Sequence, residues 1–274
     1  MLEIPESAAM AEQLSNAIIG RRIQNVIIGA SPHKFAWFLG EPEENYNLLI
    51  NRTITGAQAV AGTVDIMAED VRINVIDGVN IRYYPSKEAA PAKHQMYLEF
   101  DDGSALVFSV QMYGGMIVFR EGAYDSPYYA GALSKPNPLT DEFSEAYYRS
   151  LYDEGSGKLS AKAFLATKQR IPGLGNGVLQ DILWNAGIHP KRKIATLSED
   201  DRDRLFASIK DTLTKMALSG GRDNERDLYG APGGYQTVLS SKTVGKPCPA
   251  CGDTIKKEAY LGGAIYYCET CQPL

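Results

Sequence analysis

All four cysteines of the chain fall in its last 27 residues, as Cys248-Pro-Ala-Cys251 and Cys268-Glu-Thr-Cys271 with sixteen residues between the pairs. With no cysteine elsewhere, there is no disulfide framework to build. Two C-x-x-C pairs at this separation suit a tetrahedral all-sulfur site, in which each of two tight turns supplies two thiolates and a strand-turn-strand hairpin joins them. Zinc is the ion such a set selects, and four thiolates leave no open position, so the zinc is expected to be structural. A redox dithiol or free thiols are the alternative use of the same residues.

At 274 residues, 44% of them hydrophobic, the chain is long enough for two domains, each with its own core. It contains no apolar run of about 18 residues, so no membrane span is expected. The start Met1-Leu-Glu-Ile-Pro-Glu6 places acids where a secretory signal needs basic and then apolar residues. These features describe a soluble protein of a reducing compartment, the cytoplasm. The net charge of −5 conceals an asymmetry. Residues 1–154 hold 11 Lys+Arg against 21 Asp+Glu, whereas residues 155–274 hold 17 against 12. A basic second half beside an acidic first half fits an anionic ligand held by the second half; ordinary charge scatter gives the same numbers.

Pro5 to Ile19 reads as a helix with Ala11, Leu14 and Ile18 on one face and Gly20 as its stop. About a hundred residues of strand signals follow. Val71–Val75 and Met96–Phe100 alternate, and Asp102-Gly103 turns the second of these into Ala105–Phe108. The proline-rich stretch Ser134–Leu139 marks a boundary. Beyond it, Ser160 caps a helix carrying Phe164 and Leu165, and a second helix carries Leu179, Ile182 and Leu183. A Ser198/Asp201 capping box opens a third helix that ends at Gly220-Gly221. Between the first two helices, Gly173-Leu-Gly-Asn176 presents backbone N–H groups at a helix start, which suits a phosphate or simply closes a helix hairpin. The expected class is α+β multidomain. An antiparallel β-sandwich with a leading helix fills 1–132, a helical domain 133–235 and a zinc hairpin 236–274.

Several segments together carry a resemblance. They are Met1–Glu6, Lys93-His94 with Phe100–Gly103, Ile171–Asn176 through Asn185–Pro190, Gly220-Gly221, Pro232-Gly233, and Lys246–Cys248 through Tyr266–Gln272. In these the chain resembles the formamidopyrimidine-DNA glycosylase / endonuclease VIII family of base-excision-repair enzymes over nearly its whole length. The resemblance implies a two-domain clamp on double-stranded DNA carrying a lesion or abasic site, with a nucleotide flipped out of the stack. It implies a helix–two-turn–helix in the second domain, with Asn176 on a phosphate and Lys168 and Arg170 nearby. It also implies that Gln111, Met112 and Tyr113 fill the gap in the duplex and that the loop 222–235, beginning at Arg222, covers the flipped base. The protein is expected to be a monomer.

The chemistry the resemblance implies needs a terminal amine, which the family supplies from a proline after removal of Met. Leu2 stands at that position, so the terminal amine would be that of Met1, one residue further out. Glu3 keeps the place of the family's proton-handling carboxylate, or caps the first helix. Thr63 replaces the family's lysine, and Gly263 replaces a phosphate-gripping arginine. Lys256 and Lys257 remain as general DNA contacts in the hairpin without the arginine's fork. Lys93 is the nearest substitute amine in the strand region. His33 and His189 read as hydrogen-bonded structural histidines, because four cysteines complete the metal shell. The leading expectation is a reader of damaged or abasic DNA whose glycosylase/lyase chemistry is weak or lost. The alternatives are an active glycosylase/AP lyase using Met1 and Glu3, and a regulatory or RNA-binding relative.

Overall fold

Pro5 and the two glutamates around it start the first helix, α1 (Ile4–Ile18). Pro5 sits in the first turn, and Glu3 and Glu6 form a reciprocal capping box. Glu3 is therefore the helix cap, whatever else it does. The computed structural model describes residues 2–274; the expectation on Met1 lies outside them.

After α1 come β1 (Ile23–Ile28), β2 (Ala36–Phe38), α2 (Pro42–Leu49), β3 (Ile54–Val60), β4 (Thr63–Ala68), β5 (Val71–Val75), β6 (Val79–Tyr84), β7 (Met96–Phe100), β8 (Ala105–Val110) and β9 (Gly114–Arg120). They form one sheet in the order β1-β7-β8-β6 and another in the order β2-β9-β5-β4-β3. Phe100 and Phe108 from the first sheet share one apolar cluster with Ile66, Ile73 and Val118 from the second and Leu14 from α1, so the inner faces close as a sandwich. One pairing departs from the antiparallel expectation: β2 runs parallel to β9. These strands are separated by most of the domain, so no hairpin dictates their direction.

The alternation of β5 also breaks at Asn74, which faces outward yet is only 1% exposed. The short helix α3 (Pro127–Ser134) covers that face. Its Tyr129 hydroxyl donates to the fully buried Asp65 carboxylate at 2.5 Å, and Asn74 Nδ2 reaches both Asp65 Oδ1 (2.7 Å) and Thr63 Oγ1 (2.9 Å). A buried carboxylate is tolerated only when its lone pairs are satisfied in this way.

The remaining elements are α4 (Glu145–Ser150), α5 (Ala161–Ala166), α6 (Leu179–Asn185), α7 (Glu199–Leu218), β10 (Lys256–Tyr260) and β11 (Gly263–Tyr267). Ser160 Oγ accepts the Ala163 N–H, and Ser198 and Asp201 exchange hydrogen bonds of 3.0 and 3.1 Å, the caps expected for α5 and α7. The chain clusters into two compact units, Met1–Leu133 with Ala217–Gly234, and Ser134–Met216 with Tyr235–Leu274. Residues 217–234, expected in the helical domain, thus pack in the first unit. The cause is a set of contacts to α1 and β6: Leu228 donates to Gln13 Oε1 (2.9 Å), Tyr83 donates to the Leu228 carbonyl (3.1 Å), and Arg222 binds Glu6. Among the described residues no helix is long and apolar enough to cross a membrane. Tyr129→Phe removes one donor from buried Asp65 and is expected to lower stability by about 1–3 kcal/mol, read as a shift of the urea midpoint at constant slope.

Candidate nucleic-acid interface and thiolate centre

In the second unit, the turn between α5 and α6 leaves Asn176 exposed, with its Nδ2 donating to the Ala264 carbonyl at 3.1 Å. Buried Gln180, one turn further on, donates to the Asn176 carbonyl (2.8 Å) and accepts the Tyr266 N–H (3.0 Å). Asp181 beside it accepts the N–H groups of Val238 and Leu239 at 2.9 and 2.7 Å. The helix start and the C-terminal hairpin are therefore held as one piece, with Asn176 at their junction.

Gly263 lies at the same junction. A Cβ there would stand 3.3 Å from Lys162 Nζ and 3.6 Å from the Asn176 amide. The glycine leaves room for Lys162, which donates to the Tyr260 carbonyl at 2.7 Å and whose amine burial pulls below the usual lysine range. Sequence reasoning missed Lys162. It lies on α5 with no local signal, and its neighbours are about a hundred residues away in the chain.

The other expected basic contacts divide. Lys168 and Lys257 are exposed, and Lys168 sits with Gln169 in left-handed backbone (φ 58° and 49°), a conformation that costs non-glycine residues roughly 1–2 kcal/mol each. Arg170 is paired with Asp153 (3.0 Å) and lies over the Phe164 ring, while Lys256 is paired with Glu269 at 2.5 Å. His189 Nδ1 accepts the Lys191 N–H at 3.1 Å, and burial pulls its pKa down.

The cysteine sulfurs of 248, 251, 268 and 271 all lie within 4.8 Å of one another, with Cys248–Cys271 at 3.7 Å and Cys251–Cys268 at 3.4 Å. A tetrahedral ion bonded to sulfur at about 2.3 Å would space its thiolates about 3.8 Å apart, so the four residues fit such an ion. Burial pushes the Cys248 thiol up, but the backbone N–H groups of Ala250 and Cys251 outweigh it and bring it down to about 6. The N–H groups of a turn favour thiolate in this way.

In the first unit, Leu2 is 7% exposed and belongs to the sandwich core. Thr63 donates to the Val60 carbonyl (2.9 Å) and accepts from Asn74, so a satisfied polar network occupies the position expected for a lysine. Gln111, Met112 and Tyr113 form an exposed loop between β8 and β9, with the Tyr113 ring 6.1 Å from Trp37. Lys93 is exposed, and His94 beside it is buried against Tyr97.

Arg222 corrects its expectation as a DNA contact. It is 2% exposed, and its Nε and Nη2 fork Glu6 Oε1 and Oε2 at 2.8 Å each, with Nη1 3.8 Å from Glu3 Oε2. Burial lowers the guanidinium pKa, but the two carboxylates outweigh it and hold it above its ordinary value. The spacing of the chain could not reveal this, because Glu6 lies 216 residues upstream.

Asp77, between β5 and β6, was also not anticipated. Its Oδ1 is buried without a hydrogen-bond partner. Burial first, then Glu3 and Glu225, push its carboxyl up to about 6. A carboxyl raised in the folded state penalises folding when ionised, fully above about pH 6, and that penalty fades as pH falls toward the unfolded value near 4. Asp77→Asn is therefore expected to stabilise the protein by about 2 kcal/mol at pH 7.5, with the gain over wild type shrinking from pH 6 to 4 in parallel urea titrations.

Comparison with known proteins places these features. Residues 135–226 match the model of the formamidopyrimidine-DNA glycosylase H2TH domain. The formamidopyrimidine-DNA glycosylase of Acidiphilium cryptum is 30% identical over 99% of this chain and 100% of its own length, and that of Chloroflexus aggregans 29% over 100% and 99%. Among solved structures, Lactococcus lactis Fpg in complex with DNA containing an abasic site superposes with a TM-score of 0.84 at 24% identity, covering 99% of this chain and 100% of that one. The Thermus thermophilus MutM (Fpg) protein gives 0.82 at 22%, covering 98% of each. With a relative of this identity matched along its entire length and the helical domain matched besides, the chain belongs to the formamidopyrimidine-DNA glycosylase family.

Proposed function

We propose that this protein recognises abasic or damaged sites in double-stranded DNA, and that its glycosylase and lyase chemistry is weak or lost. The observation that carries the reading is Leu2: a buried core side chain occupies the position where the chemistry calls for an exposed, nucleophilic amine. Three others support it. The Thr63–Asn74–Asp65 network carries no amine, the space at Gly263 carries no guanidinium, and Glu3 is engaged as a helix cap beside Arg222. Part of the DNA-holding side of the molecule remains. Asn176 stands at a helix start, where backbone N–H groups and the helix dipole favour a phosphate, and exposed Lys168 and Lys257 add positive charge in the same unit.

Zinc is the ion proposed for Cys248, Cys251, Cys268 and Cys271. It would supply no reactive position. It would neutralise four crowded thiolates and hold the hairpin against α6, through which Gln180 and Asn176 are positioned. Cys251→Ala is expected to bring bound zinc from one per chain to well below one, by elemental analysis, and to weaken binding to an abasic duplex. Normal metal content and normal binding in that variant would overturn the assignment.

Borohydride trapping on a duplex with one abasic site, run beside a gel shift on the same duplex and its intact counterpart, tests the main reading. Preferential binding with no covalent adduct is the expected result. An adduct would establish an amine nucleophile, with Met1 or Lys93 to be distinguished by peptide mapping, and would return the protein to the glycosylase/lyases. Equal affinity for RNA and abasic DNA would favour a regulatory or RNA-binding role instead.

A further inference from the structure

Within the first unit, the loop that follows α7 is fastened to α1 and β6 at several points. Arg222 contributes its backbone N–H to Glu6 Oε1 (3.1 Å) besides its side-chain fork. Gln13 on α1 donates to Asp227 Oδ2 at 3.1 Å and accepts from Leu228, which is fully buried, and Asp227 Oδ1 in turn accepts the N–H groups of Tyr229 and Ala231 at 3.0 and 2.8 Å. The two strands of the loop touch at Gly233, where a Cβ would stand 2.3 Å from the Gly221 carbonyl, so only glycine fits. Between this loop, α1 and β6 lies a half-open cleft of about 20 Å³, lined among others by Leu2, Glu6, Met10, Ile81 and Glu225. That volume admits about one water molecule and is far too small for a nucleobase.

We propose that Arg222 determines specificity by locking this loop shut on Glu6 and Glu3, so that the protein selects deoxyribose that has lost its base over a nucleotide that still carries a damaged one. The inference rests on the DNA-reading function proposed above and names its substrate class. A base-bearing nucleotide beneath the loop would have to displace a buried, two-pronged ion pair, leaving Arg222 or the glutamates desolvated and unpaired. An abasic sugar requires no such opening. Arg222 acts here as a positioning residue, through the loop it holds.

Fluorescence anisotropy with three duplexes differing at one position, carrying an intact base, a formamidopyrimidine or a tetrahydrofuran abasic analogue, tests this on the full chain. Wild type is expected to bind the abasic duplex at least about tenfold more tightly than the formamidopyrimidine duplex. The double variant Glu6→Gln/Arg222→Met removes both charges together, so neither is left buried alone. It is expected to narrow that ratio to about threefold or less by gaining affinity for the formamidopyrimidine duplex while holding its affinity for the abasic one. Where circular dichroism shows the double variant unfolded, Arg222→Lys, which keeps the charge without the fork, is expected to narrow the ratio in the same direction. Equal wild-type affinity for the two lesions, or an unchanged ratio in a folded variant, would overturn the lock while leaving the DNA-reading function standing. No preference for either lesion over intact duplex would overturn that function itself.

Discussion

A guanidinium withdrawn almost wholly from water is tolerated only with carboxylates fixed around it, and Arg222 has two, Glu6 in a bidentate fork and Glu3 at 3.8 Å. Much of the first unit is arranged by that requirement. Glu3 and Glu6 are also the capping box of α1, so the helix start and the ion cluster are one structure. The chain leaves the unit at Leu133 and returns at Ala217, and the fork with Glu6 is one of the bonds that ties the returning segment down. Leu2 packs immediately beside this cluster, in the core rather than at a reactive surface.

The second unit solves a different problem. Its C-terminal hairpin is too short to bury a core of its own, and its apolar cluster is made of Leu239, Ile255, Cys248 and Cys268, with Trp184 of α6 packed against them. Four thiols within 4.8 Å of one another make a stable arrangement when a cation accepts them as thiolates. The hairpin then leans on α6 through Gln180 and Asp181, both almost wholly buried. Asn176 inherits its position from that docking, which links the metal-binding residues to the surface that would meet a phosphate.

Features whose causes lie close together in the chain were legible in advance. Ser160 and Ser198 cap the helices expected of them, Asp102-Gly103 turns β7 into β8, and the spacing of the cysteines announces their convergence. Where two distant segments had to meet, the reading failed or fell silent. Arg222 was expected as a DNA contact at the start of the loop 222–235 and is buried in a fork with Glu6. Asn74 broke an alternating strand because α3, about fifty residues later, brings Tyr129 over Asp65. Lys162 gave no local signal, because the carbonyl it serves and the glycine that makes room for it come from the hairpin.

By itself the sequence determined the leading helix, the strand-rich first half, the capped helices and the all-sulfur centre, because hydrophobic period, caps, turns and C-x-x-C spacing act over a few residues. It also marked Leu2, Thr63 and Gly263 as departures from the family's chemistry. Tertiary structure alone decided which charges are spent inside the protein and which face outward. It returned residues 217–234 to the first unit, set β2 parallel to β9, raised Asp77 beside Glu3 and closed Arg222 onto Glu6. The reason is that desolvation and pairing depend on what surrounds a side chain in space, and residues more than two hundred positions apart supply that surrounding here.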